Sequence, residues 1–296
     1  MTHLVISAQR GRLIVWLFAA LFHSQLLATT LSGHTEGEFS VSSTGDASYS
    51  VPIEVPSGIA GLQPKLSLNY SSGNTNSFSL LGHGWSLGGL MEITRCTSNF
   101  AQDGYTRGVG FDSYDRFCLD GSRLRLAAGT HGAEGAEYRT EIESFIKMTL
   151  HTSGASGAMP ASGPQWFEAK TKDGVKIQFG GTDDARLNAV VANNSIVRSW
   201  AVSRITDPHG NYMTFAYEKD PTNGTYRPQA IHYTGTTSAS PDYSIYFSYE
   251  LRPANDAPVQ YYFGQKVQQL RRMVGIYASY RSTSVWEYQI SYKSES

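Results

Sequence analysis

The sequence predicts an all-β fold of antiparallel strands and hairpins in stacked sheets, and three observations carry the prediction. Apolar residues alternate at every second position in one segment after another. Turn words built on Asp, Gly and Pro precede most of these segments, and long runs with a 3.6-residue period are missing. The residue mix agrees: charged residues make up 17% of the chain, against about 25% in a typical domain, while glycine (29) and tyrosine (18) are plentiful.

The N-terminus differs in character. Arg10 and Arg12 precede an apolar run, Leu13 to Phe22, then a more polar stretch ending at Ala28, the order of a secretory signal peptide. The run is too short to span a bilayer, so the mature chain is expected to have no stable membrane span. Residues 1–28 are read as leader, 29–36 as a short linker and 37–296 as the β module. Removing the leader takes two arginines and no carboxylate, so the formal charge of -1 becomes -3. A secreted, weakly acidic protein is expected; a start codon assigned too early would leave it in the cytoplasm instead. No basic block suggests a nucleic-acid partner.

The first strands are read at Val51, Ile53, Val55 and at Leu66, Leu68, Tyr70, with Gly and Pro setting the corners and Pro64 leading into the second strand. Gly82, Gly84, Gly88 and Gly89 follow as turn residues around a buried Trp85, and Leu90, Met91 and Ile93 read as a further strand. Later alternating segments lie at Ser144 to Leu150, Val175 to Phe179, Tyr212 to Tyr217, Ile245 to Tyr249 and Trp286 to Tyr292. Asp120-Gly121 and Asp173-Gly174 suit tight hairpin turns, and Asp207-Pro208-His209-Gly210 is a Pro-started turn. The stretch Gln265 to Met273 reads as strand. Ser153 to Pro164 is either a hinge or, as preferred here, a surface loop within one sheet array. The last alternating strand would leave an unpaired edge unless something covers it.

Candidate chemistry is sparse. Gly84-Trp85-Ser86-Leu87-Gly88 matches the G-x-S-x-G nucleophile elbow, but no buried parallel strand precedes it and no helix follows, so Ser86 is read as structural. Cys96 and Cys118 are either a disulfide, worth roughly 3 kcal/mol in an exported protein, or two buried thiols. Zinc would need two further ligands that the spacing of His83 and His131 does not supply. Asp103, Asp112, Asp115 and Asp120 lack the ladder of a calcium loop and read as turn caps. Trp166, Trp200 and Trp286 can stack on sugars or form cross-strand core pairs. No cofactor, metal or catalytic residue is expected.

Five separated blocks also carry a family resemblance: SVPIEVPSGIAGLQPKLSLNYSSG with SFSLLGHGWSLGGLMEITRC, DRFCLDGSRLRL, EYRTEIESF, TKDGVKIQFG and WAVSRITDPHGNYMTFAY. In this order they resemble the N-terminal module of the Salmonella virulence plasmid B proteins and insecticidal toxin complex B subunits, which are related to Rhs/YD-repeat proteins. The likeness covers roughly residues 37–292. It implies an Rhs-shell-like β module, truncated at its C-terminus, that contributes to a shell enclosing or delivering a toxic effector. The implied partner is the remaining shell polypeptide or a toxin-complex C-type subunit. An ADP-ribosyltransferase in the Salmonella relative belongs to a C-terminal domain with which no residue here aligns, so the chain is expected to be no enzyme. A secreted carbohydrate-binding or adhesion β-sandwich is the second reading, and a serine hydrolase using Ser86 the third.

Overall fold

Every segment with period-two alternation forms a hydrogen-bonded strand in the computed structural model, which describes residues 4–10, 36–152, 163–190 and 196–293, the first of these as backbone. The apolar run of the leader, the cleavage position at Ala28 and most of the Ser153 to Pro164 loop lie outside the described residues.

A closed barrel forms the first body. Its strands are β6 (Glu92–Cys96), β7 (Arg116–Leu119), β8 (Ser122–Ala128), β9 (Glu137–Thr140), β10 (Lys147–His151), β11 (Trp166–Lys170), β12 (Lys176–Phe179) and β14 (Val197–Thr206). Neighbours pair antiparallel in that order, and β14 pairs back to β6 through Ser199–Ala201, which closes the ring. Eight strands leave an interior that side chains can just fill. Phe117, Phe167 and Trp200, all at 0% exposure, fill it with edge-to-face contacts at ring separations of 5.2 to 5.7 Å.

The long strand β14 also leads out of the barrel. A bulge between its partners Gln178 and Phe179 redirects it, and its last residues pair with β15 (Tyr212–Asp220). From there an open antiparallel sheet runs through β16 (Thr225–Gly235), β17 (Tyr243–Leu251), β20 (Arg271–Tyr280) and β21 (Thr283–Tyr292). A separate four-stranded sheet, β2 (Glu38–Val41), β3 (Ala47–Ile53), β4 (Leu66–Ser71) and β5 (Trp85–Gly88), lies beside it. Val51, Ile53, Leu66 and Leu68 of this sheet share one buried cluster with Tyr233, Ile245, Ile276, Tyr288 and Ile290. Polar ties hold the two together, including Tyr288 accepting the Glu54 N–H at 3.2 Å and Tyr233 donating to the Pro56 carbonyl at 3.0 Å. A short hairpin of β18 (Val259–Tyr262) and β19 (Gln265–Gln268) projects before β20, and β13 (Arg186–Asn188) pairs with β14. Among the described residues no helix is long and apolar enough to cross a membrane.

The loop read at 153–164 joins β10 and β11, which are hydrogen-bonded neighbours from Lys147 opposite Lys170 to His151 opposite Trp166. One buried cluster includes residues from both sides of it. Gln265 to Met273, read as one strand, is divided between β19 and β20.

Candidate functional site

The last strand has a covered edge. Strand β1 (Leu4–Arg10) runs antiparallel along β21, from Leu4 opposite Tyr292 to Arg10 opposite Trp286. The cover comes from the segment that the sequence assigns to the leader.

The turn residues form corners that hold this array. Asp120 and Gly121 both adopt positive φ, at 46° and 82°, and connect β7 to β8 as a two-residue hairpin. Asp120 also accepts the Glu92 N–H through Oδ1 at 2.8 Å, which ties the hairpin to β6. Gly174, at φ +80°, closes the turn after Asp173 by donating to the Thr171 carbonyl at 3.0 Å. Gly210, at φ +86°, donates to the Asp207 carbonyl, while Asp207 Oδ1 accepts the N–H groups of His209 and Asn211 at 2.9 Å each. Pro64 is buried just ahead of β4.

The segment around Ser86 differs in detail from its sequence reading. Gly82, Gly84 and Gly89 have positive φ, but Trp85 to Gly88 is the strand β5, paired from Tyr70 opposite Trp85 to Ser67 opposite Gly88. Gly88 is therefore a strand residue; a Cβ there would lie 2.5 Å from Ser67 Oγ and Asn69 Nδ2, so a larger residue would have to displace these two side chains. Trp85 is half-buried, its ring 5.4 Å from that of Tyr70. The exposed Ser86 hydroxyl donates to the Asn69 carbonyl at 3.5 Å.

Cys96 and Cys118 are joined as a disulfide between the adjacent strands β6 and β7, with Cα atoms 6.0 Å apart. The four aspartates engage arginines and backbone N–H groups instead of gathering: Asp103 binds Arg116 and Arg123, Asp112 binds Arg107, and Asp115 binds Arg95. Among the described residues no group of three His, Cys, Asp or Glu side chains could hold a metal ion. Trp200 donates from Nε1 to the Pro164 carbonyl at 3.1 Å within the barrel core, so it offers no face to a sugar. Trp166 stacks on His151 at 3.9 Å, and Trp286 packs edge-on against Tyr288 at 4.9 Å.

One feature escapes the sequence entirely. A cavity of about 500 Å³ opens between the barrel, β5 and β16, lined by Trp85, Glu92, Arg198, Tyr217, Tyr226 and Tyr262 among others. Burial raises the Glu92 carboxyl above its ordinary value, against the opposing pull of the Arg198 charge. Burial also lowers the Arg198 guanidinium, which lies 4.8 Å over the Tyr262 ring and donates from Nη2 to the Gly224 carbonyl at 2.6 Å. Its Nη1 is buried without a hydrogen-bond partner among the described residues. No histidine lines the cavity among the described residues, so Ser86 at its rim meets no imidazole base there. Glu92 and Arg198 come from β6 and β14, more than 100 positions apart, and no local pattern marks them.

Comparison with known proteins follows the same outline. The family described as Salmonella virulence plasmid 65kDa B protein matches residues 41–268. The crystal structure of TcdB2-TccC3 superposes with a TM-score of 0.65 at 17% identity, over 83% of this chain and 14% of that one. The N-terminal domain of effector protein SpvB from Salmonella typhimurium strain LT2 superposes at 0.58 and 18% identity, over 82% of this chain and 97% of the domain. The Tc holotoxin pore of Photorhabdus luminescens gives 0.62 and 18%, over 83% of this chain and 14% of that chain. The chain thus spans a small part of the toxin-complex proteins but almost the whole length of the isolated domain. No curated protein matches it.

Proposed function

The chain belongs to the Salmonella virulence plasmid 65kDa B protein family, and from that premise we propose that it is a non-catalytic structural module of a secreted toxin-complex B-type protein. In this reading it contributes to a β shell that encloses or delivers a toxic effector. The observation that carries the reading is the sheet running without a break from β14 to β21 and ending on a strand whose outer edge is filled by residues 4–10. Export with cleavage near Ala28 removes that filler. The freed edge of Trp286–Tyr292 then presents unpaired N–H and C=O groups, the template by which another strand is added. Its natural occupant is the remaining shell polypeptide or a C-type subunit.

The test uses the secreted form. N-terminal sequencing should begin close to Thr29, and within residues 286–292 the alternate amides that face away from β20 should exchange fast in the mature chain and slowly once a peptide of residues 4–10 is added. An intact Met1 on the native product, or exchange that the peptide leaves unchanged, refutes the strand-replacement scheme. Esterase turnover abolished by Ser86→Ala would overturn the non-catalytic assignment.

A further inference from the structure

The outer face of the barrel carries a row of cations that the fold neutralises only in part. Arg125 on β8 lies opposite Arg139 on β9, Lys147 on β10 opposite Lys170 on β11, and Lys170 opposite Lys176 on β12. Since Met148 faces Tyr138, one step along the same ladder sets Lys147 beside Arg139, so the row crosses five consecutive strands. The inward neighbours Leu124, Tyr138, Met148, Ala169 and Ile177 are buried, whereas Arg125, Arg139, Lys170 and Lys176 are exposed and Lys147 partly so. Among the described residues only Lys147 of the row has an ion-pair partner, Glu137.

Like charges directly opposite one another destabilise a sheet. Adjacent strands are about 4.8 Å apart, so five cations occupy roughly 19 Å in a line across the pleat. The same face holds a shallow groove of about 530 Å³ lined by Arg139, Lys147, Lys170 and Lys172 together with Glu143, Phe145 and Thr171. Phe145 is 63% exposed at φ +57°, a conformation that bulky residues seldom adopt, and Lys172 Nζ stands 5.9 Å over its ring. Carboxylates nearby offset the row only in part, Glu137 by pairing with Lys147. Glu143 turns into its own loop to accept the Phe145 N–H at 2.6 Å, and Glu168 sits two residues along β11 from Lys170.

We propose that this row and groove bind a linear sulfated polysaccharide laid across the strands, with Phe145 against the apolar face of a sugar ring. An exposed aromatic ring beside the cations and the lack of a pairing edge favour this polyanion over an acidic peptide. The surface has no free strand edge to pair with a peptide backbone, because each of β8 to β12 has a neighbour on both sides.

Heparin is the probe, titrated into the full secreted chain by calorimetry at about 0.15 M ionic strength, where exposed charges more than a Debye length apart are screened. The double variant Arg139→Glu/Lys170→Glu should weaken binding at least about tenfold and flatten its salt dependence. Lys65→Glu, at an exposed cation just ahead of β4, makes a single charge reversal elsewhere and should leave the affinity unchanged. Circular dichroism and unfolding midpoints matching the parent establish that the variants fold. Absence of heparin binding by the parent, an equal loss in Lys65→Glu, or polyglutamate binding as tightly as heparin would each overturn the proposal.

Discussion

The Arg95 guanidinium meets the Asp115 carboxylate at 2.9 Å, and the two side chains retain 1% and 0% of their surface. Arg95 stands on β6, the strand that closes the barrel, and also donates from Nε to the Val197 carbonyl at 2.7 Å on β14. Asp115 accepts the Gly110 N–H through its other oxygen at 2.8 Å. The pair therefore fastens the loop before β7 to the closing seam.

Removing one partner leaves the other charge buried and uncompensated. Asp115→Ala should cost about 3–5 kcal/mol in urea unfolding. A loss under about 1 kcal/mol would mean that the pair is not enclosed as described.

The Cys96–Cys118 bond closes a loop of sequence separation 22 within the same region. Reduction, or Cys96→Ala with Cys118→Ala, should lower stability by roughly 3 kcal/mol. Two thiols that alkylate freely without reductant would contradict the bond.

Two glycines separate backbone strain from steric crowding. Gly121→Ala meets no atom within 4 Å at φ +82° and should cost about 1 kcal/mol from conformation alone. Gly180→Ala, at φ +69°, would also place its Cβ 2.4 Å from Trp200 Cδ1 in the barrel core, and should cost about 3 kcal/mol or more. Equal thermal destabilisation by the two variants would show that Trp200 yields freely.

Asp103 makes stability depend on acid. Burial tends to raise its carboxyl, but hydrogen bonds from Arg116, the Asn99 N–H and Arg123 prevail and hold it at about 2, below the ordinary 3.8. A pKa lowered by folding contributes stability that is fully present above the unfolded value and is lost as pH falls through the folded one. Stability should thus decline between pH 3.8 and about 2, and Asp103→Asn should flatten that part of the profile. An unchanged slope in the variant would assign the acid sensitivity to other groups.

Legibility in the sequence followed the range of each interaction. The Asp120-Gly121 corner was readable because both residues tolerate positive φ and the apolar alternation on either side sets the register. Of the four glycines that read as turn residues around Trp85, Gly82, Gly84 and Gly89 do take positive φ, whereas pairing with β4 draws Gly88 into a strand. For Cys96 and Cys118, spacing left two outcomes open, since β6 and β7 become neighbours only through pairing. The cavity residues Glu92 and Arg198 were invisible because their strands are distant along the chain, and the row from Arg125 to Lys176 because its alignment depends on the exact register of five successive strands.

By itself, then, the order of residues determined which stretches are strands, where the corners fall and which side chains point inward, since alternation and turn chemistry act over a few positions. Only the tertiary structure decided that β14 closes on β6, that residues 4–10 lie against the last strand and that five cations align across the barrel. Such contacts depend on strand order, and strand order is set by how all the apolar faces are buried together rather than by any single segment.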